Sequence, residues 1–330
     1  MTTKVVSYQD GPRITVAELA KSPTLIPERI LSLGDAGFLV DSVLRKGDDA
    51  PSGVVLFSES TPLFTDDDPM VLEEFGQIPA TSGQMGTRKV VRTVRRALGL
   101  RVSKQMIDRN AMRAVMDRIK QVRNTMVRAW EDAFFSAIIA NPNVQTLATD
   151  APWNGASTVT HIRKDINSAR YLIKTAASDA AGKQKLGFIA DTLILSTEIE
   201  LDFLDSDEVT KPYEGGNVAD QNLKFTGKLP KQFLGLDVLV SWRLTVYAPS
   251  TAIVMERNTA GFISDERSLE ATPMYPEGNG PNGGPTESYR TDTTRQSAIG
   301  LDQPKAICLI TGVTTGQTFP VSGGTITLTS

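Results

Sequence analysis

The sequence predicts an α+β fold: an N-terminal arm, a long basic strand-like ribbon, one long helix, a second helix and a β-rich remainder. Three observations predict it. Residues 88–102 alternate with period two, Val90, Val94, Leu98, Leu100 and Val102 sharing one face with Arg92 and Arg96, while Lys89, Arg95 and Arg101 share the other. Residues 111–140 place Val115, Ile119, Val122, Met126, Ala129, Ala133 and Ala137 at three- and four-residue steps, the signature of an amphipathic helix. Beyond residue 187 the chain breaks into short runs rich in β-branched residues, divided by turn residues.

In order along the chain, residues 1–52 carry the capping-box pattern Thr15-Val-Ala-Glu18 and are interrupted by Pro12, Pro23 and Pro27, which reads as an extended arm with short helices. Residues 54–57 are strand-like, and Asp, Pro and Gly punctuate the chain from there to Gly86. The ribbon 88–102 follows. At about 3.3 Å per residue it reaches roughly 50 Å, longer than a compact domain is wide at its core. An isolated two-stranded hairpin is marginal in water, so such an element is ordered by lying on a neighbour. Asn110 is placed to cap the long helix, and Asn141-Pro142 to stop it. A second helix is expected over 160–181, closing at Gly182. Strands are expected at 188–195, 236–241, 252–256, 262–265, 269–274, 289–296 and 305–311, with a short helix starting at Thr197. Residues 206–232 read as a long loop, and residues 314–330 as a hairpin around Gly323-Gly324.

The 330 residues suffice for about two structural units. One Cys, in the apolar run 306–310, precludes a disulfide framework and reads as core. One His, His161, would have to serve any triad, zinc site or imidazole base alone, and it sits where a helix begins, so it reads as a surface or capping residue. The Gly-rich stretch 278–285 lacks the Gly-Lys-Ser/Thr ending of a phosphate cradle and contains Pro281 and Pro285. The acidic groups Asp66, Asp67, Asp68 and Asp202, Asp205, Asp207, Glu208 lack the spacing of a calcium loop. No run approaches the roughly 18 apolar residues of a bilayer span, and Asp10, Arg13 and Glu18 are unlike a signal peptide. Nothing in this inventory argues for an enzyme, and no cofactor, metal or membrane is expected.

Charge is unevenly spread. Residues 88–128 hold 13 basic and two acidic residues, a net of +11, which against −3 for the whole chain leaves −14 elsewhere. No Phe, Tyr or Trp lies within that stretch, so it has nothing to stack on bases, and contact with acidic surface on another copy of the chain is the better reading than nucleic-acid recognition.

The order of these elements resembles the major capsid protein of tailed bacteriophages, the Hong Kong 97 fold, over roughly residues 11–313. The pieces that carry the resemblance are Glu74-Phe-Gly-Gln-Ile-Pro79 followed by Arg88-Lys89, Gly99-Leu-Arg-Val-Ser103 leading into the helix with Trp130-Glu-Asp-Ala-Phe134, Asp191-Thr-Leu-Ile-Leu-Ser196, Phe233-Leu-Gly-Leu-Asp-Val-Leu-Val-Ser241, and the block 290–309. Gly235-Leu-Asp237 stands where many relatives have Gly-x-Pro.

The resemblance implies an N-terminal arm (1–52), an extended E-loop (53–102), a peripheral domain with a spine helix (103–186), an axial domain (187–255), return strands (256–313) with a P-loop at 276–287, and a C-terminal hairpin tail (314–330). It implies a non-enzymatic shell subunit that assembles as hexamers and pentamers into an icosahedral shell around phage double-stranded DNA, in the virion, after assembly in the host cytoplasm. Intersubunit contact is expected at the apolar anchors Phe57, Phe64, Phe75 and Ile78, the acids Asp66, Asp67, Asp68, Glu73 and Glu74, and the cations Arg88, Lys89, Arg92, Arg95 and Arg96. Asn279 and Asn282 would meet at threefold points, and Asp207, Glu208, Lys211 and Tyr213 would line the axial loop. Residues before Gly53 leave no room for a fused scaffolding segment, so a separate scaffold protein is implied, with a portal protein, a place for a decoration protein, and weakly contacted DNA. Some relatives weld subunits through a Lys–Asn bond; here the only E-loop lysine, Lys89, is on the ribbon and away from the tip, so no crosslink is expected. The rival readings are an encapsulin-like compartment shell and a nucleic-acid-binding protein using residues 88–128.

Overall fold

The computed structural model describes residues 24, 26–28, 30, 39–62, 65, 69–72, 74, 76–78, 80–83, 85–155, 161–178, 184–206, 208–209, 231–278, 287–315, 318–321 and 324–327. In chain order the elements are α1 (Leu39–Val43), β1 (Arg45–Lys46), β2 (Val54–Glu59), β3 (Thr87–Arg92), β4 (Val94–Ser103), α2 (Lys104–Asp108), α3 (Met112–Ala140), β5 (Gln145–Ala148), α4 (Ile162–Thr175), β6 (Thr192–Leu195) and α5 (Thr197–Asp205). They continue with β7 (Gln232–Phe233), β8 (Leu236–Val240), α6 (Leu244–Tyr247), β9 (Thr251–Met255), β10 (Phe262–Ala271), β11 (Tyr275–Glu277), β12 (Ser288–Gly300), β13 (Ile307–Thr311), β14 (Thr318–Val321) and β15 (Gly324–Thr327).

Two larger sheets organise the chain. One has the order β1-β10-β12-β11, with β4 also paired to β12; the other runs β5-β13-β9-β6-β8-β7. In the second, β13 is parallel to β5 and antiparallel to β9. Strands β14 and β15 pair with each other, as do β2 and β3.

Helix α3 links two cores. Its N-terminal half puts Val115, Ile119 and Val122 on one face, where they meet Leu100 and Val102 of β4, Met274, and Ile26 and Ile30 from the start of the chain. Its C-terminal half is buried on several sides: Trp130, Phe134, Phe135 and Ile138 join the main core with Ile162, Ile166 and Ile173 of α4 and the inner strands β6, β9 and β13. Fully burying one such side chain contributes about 1.5–3 kcal/mol, so this half anchors the helix. The opposite face of the N-terminal half is exposed.

Several elements differ from the expectation. Asn110 does not cap α3. It adopts φ +48°, and the amides of Asn110 and Ala111 donate to the carbonyls of Ile107 and Met106, closing α2 in the left-handed conformation that Asn tolerates. Position Ala111 then starts α3 with no side-chain cap. The basic ribbon is divided at Thr93, whose amide donates to Gly53 O (3.0 Å) while its hydroxyl bonds Glu266, so β3 pairs with β2 and β4 pairs with β12. Helix α4 ends at Thr175, where Ala176 turns extended and Ala177 bridges to Lys185. Strand β6 starts only at Thr192, because the Ile189 amide bonds the Glu256 carboxylate (2.7 Å) and finds no strand partner. The two runs 262–265 and 269–274 merge into β10, with irregular register between Asp265 and Glu270. The capping-box residues Thr15 and Glu18, and Gly182, lie outside the described residues.

Candidate functional site

The hairpin β2–β3 forms a two-stranded sheet of its own, packed against the first larger sheet without joining it, and pairs Val54 with Arg92 through Glu59 with Thr87. Alternation gives it two unlike faces. Val55, Phe57, Lys89 and Val91 are half-buried, and the Phe57 ring meets Phe262 of its own chain edge-on at 5.2 Å. Leu56 and Val90 face solvent, 73% and 57% exposed. The connecting segment adds Met70, Val71, Leu72, Ile78 and Met85, all exposed, Val71 completely. Each of these apolar side chains is left in water by the single chain.

At the base of the hairpin Glu59 is 2% exposed. Its carboxylate accepts from Lys89 Nζ (2.6 Å), Asn141 Nδ2 (2.8 Å) and Asn143 Nδ2 (2.8 Å), so the end of β2 is tied to the end of α3. Burial pushes this carboxyl up, but the bonds from Lys89, Asn141 and Asn143 outweigh it and hold the group below its ordinary value. A side chain at Gly86 would put its Cβ 2.1 Å from the Glu59 carbonyl, so only glycine fits where β3 begins.

The expected cations divide into two sets. Arg92 and Arg95 are exposed and form no ion pair among the described residues, and Arg88, also exposed, bonds only Met85 S (3.7 Å). Lys89 is held by Glu59, and Arg96 points inward, its guanidinium 4.3 Å from the Trp130 ring centre. Arg295 stands opposite Arg96 in the β4–β12 register and also covers Trp130, at 5.3 Å. Burial lowers the Arg96 group and nearby Asp132 partly restores it; Arg295, in contrast, is bonded bidentately by Asp41 (2.9 Å each) and by Asp265. The inward set therefore serves its own chain, because a strand's period gives two faces without saying which of them a helix covers.

Of the other expected residues, Glu74 and Ile78 are exposed. Glu208 accepts from the Arg163 amide (2.9 Å) at the start of α4, with His161 Nδ1 3.7 Å away, so from beyond α5 it caps α4 of its own chain. Phe64, Asp66, Asp67, Asp68, Glu73, Phe75, Asp207, Lys211, Tyr213, Asn279 and Asn282 lie outside the described residues. Glu59, Leu56 and Val90 were not singled out from sequence. Both faces of β2 are apolar in sequence, and a lone Glu at a strand end carries no signal for the two Asn residues that reach it.

Among the described residues no group of three or more His, Cys, Asp or Glu is arranged to hold a metal ion, and no helix is long and apolar enough to cross a membrane. What the described residues do bring together on the hairpin is an exposed pair, Leu56 and Val90, with exposed Arg88 and Arg92 on the same strand as Val90. A family model described as phage capsid protein matches residues 86–303, well over half of the chain. The chain belongs to that family. The match takes in the second hairpin strand, all of α3 and both larger sheets except β1 and β13, so this phage capsid protein carries the family pattern on most of the elements that make its two cores.

Solved structures agree in fold. The chain is similar to the virus-like particle from Pyrococcus furiosus (10% identity, TM-score 0.52, covering 86% of this chain and 97% of that one). It is similar to a phage-related protein from Bordetella bronchiseptica (11%, TM-score 0.54, 88% and 97%) and to the capsid of an empty GTA particle (12%, TM-score 0.51, 81% and 87%). Identities this low show the fold alone. The chain matches no curated protein sequence.

Proposed function

We propose that this capsid protein is the major subunit of an icosahedral phage shell, assembling as hexamers and pentamers in the host cytoplasm around double-stranded DNA and having no enzymatic activity. The observation that carries the reading is the hairpin β2–β3, a two-stranded sheet whose outer face exposes Leu56 and Val90. Two strands do not hold such a face in water alone, and a neighbouring copy would cover it. In this reading residues 53–102 are the E-loop, 103–186 and 256–313 the peripheral domain and its return strands, and 187–255 the axial domain. Exposed Arg92 and Arg95 meet acidic patches on neighbours, a separate scaffold protein and a portal protein are its partners, and the shell leaves a place for a decoration protein.

Negative-stain electron microscopy with light scattering on the purified chain, alone and with lysate of the source, tests this. Closed shells or hexamer and pentamer rings are expected; a monodisperse monomer under every assembly condition would overturn it. An encapsulin-like shell is the second reading, favoured by the likeness to the virus-like particle from Pyrococcus furiosus. Nuclease-protected DNA inside purified particles distinguishes the phage shell from a compartment filled with protein.

A further inference from the structure

The exposed face of α3 carries a different kind of surface from the hairpin. Arg113, Asp117, Lys120, Asn124 and Arg128 recur at steps of three and four residues, and each is exposed. They form one stripe along about 22 Å of helix at 1.5 Å per residue. Beside it lies exposed Gln121. Apart from Asp117, every one of these side chains donates hydrogen bonds.

The three cations of the stripe differ from the ion-paired cations of the chain. Arg45, Arg101, Arg243, Arg290 and Arg295 each have a carboxylate of their own chain. Arg113, Lys120 and Arg128 have no ion pair or side-chain hydrogen bond among the described residues. Their position matters as much as their charge. The other side of α3 packs on β4 through Val115, Ile119 and Val122, so the stripe points away from the sheet, along the normal of the helix-on-sheet layer. A shell one subunit thick closes through contacts at the edges of such layers, and its broad faces look inward or outward.

We infer that Arg113, Lys120 and Arg128 form a contact strip for the phosphate backbone of duplex DNA on the inner face of the shell. The proposal rests on the shell reading above, which puts a polyanion inside. Cations and amide donors without any aromatic neighbour fit phosphates and leave bases unread, so the contact is independent of sequence. Three cations with one acid among them make it weak and dependent on salt, which suits a genome that must enter and leave.

The test compares three forms of the full-length chain, kept unassembled: wild type, the triple variant R113Q/K120Q/R128Q, and a charge-matched control, K46Q/R163Q/K174Q, altered at exposed positions elsewhere. Binding of a fluorescein-labelled random-sequence DNA duplex is followed by anisotropy as salt is raised, and shell formation is scored separately by electron microscopy. Each phosphate contact adds about 0.9 to the slope of log affinity against log salt, so the stripe variant should lose about 2.7 from that slope. Between 50 and 200 mM salt, wild type would then lose about 40-fold more affinity than the variant. The control should keep the wild-type slope, and all three should still form shells. An unchanged slope in the stripe variant overturns the inference, and so does absence of DNA binding by wild type. Loss of shells by the stripe variant with unchanged DNA binding would overturn it in favour of an interface between copies. If wild type forms no shells but its DNA binding depends on the stripe, the assembly reading fails and the phosphate contact stands.

Discussion

Glu59 shows how one carboxylate fixes the hairpin's origin. Its folded value lies below the ordinary 4.5, so the stability it contributes is fully present above that value and is lost as pH falls through the folded one. The substitution Glu59→Gln keeps the volume but removes the charge that Lys89 faces. Because Lys89 is 37% exposed, solvent offsets part of the loss, and a cost of about 1–3 kcal/mol at pH 7 is expected. Urea denaturation should show the gap between wild type and variant closing at acid pH, where wild type is itself protonated. A gap that persists unchanged would mean that packing, and not charge, holds the node. Cys308 is the simpler residue. Its apolar neighbours mark it as core in sequence, it is buried, and burial pushes its thiol up to about 12, far from the reactive thiolate.

Among the elements, α3 and β4–β12 were legible to different degrees. The length of α3 is written in the three- and four-residue spacing of Val115, Ile119, Val122 and Met126, a signal repeated over many turns. Its beginning was not legible, since Asn110 satisfies two motifs equally well and the closure of α2 wins. The face of the ribbon was legible and its partner was not: Arg96 and Arg92 share a period, yet only Arg96 lies over Trp130. Arg96 and Arg295 cover the same ring but differ in their acids. Arg295→Met would leave Asp41 and Asp265 without their cation and should cost about 3 kcal/mol, whereas Arg96→Met loses a cation–π contact and the attraction of nearby Asp132, to which it is not bonded, and should cost about 1 kcal/mol. Thermal unfolding of the two variants checks the difference; equal shifts would place the stabilisation in the aromatic stack.

At the scale of the whole molecule, fold class and family were readable from the order of elements, while much of the proposed contact surface was not. The charge count drew attention to residues 88–128, but exposure separates Arg92 and Arg95 from Lys89 and Arg96 only once β3 and β4 have different partners. Leu56 and Val90 are the larger omission, since neighbouring copies are invisible in one chain's hydrophobic pattern. The double variant L56E/V90E should leave the unfolding transition of the unassembled chain nearly unchanged, because both residues already face solvent, and should abolish shells in electron micrographs. Normal shells from that variant would remove the hairpin's outer face from the assembly contacts.

The place of β13 in its sheet bears on the timing of synthesis. Residues 307–311 lie between β5 and β9, two strands made much earlier. Until the ribosome has delivered them, β5 has no neighbour among the described strands and β9 keeps an open edge. A prematurely terminated chain is thus caught with an unclosed sheet and stays a substrate for chaperones and proteases. The second larger sheet is whole only once residues 307–311 have been made, and the order of synthesis makes its closure one of the last steps of folding.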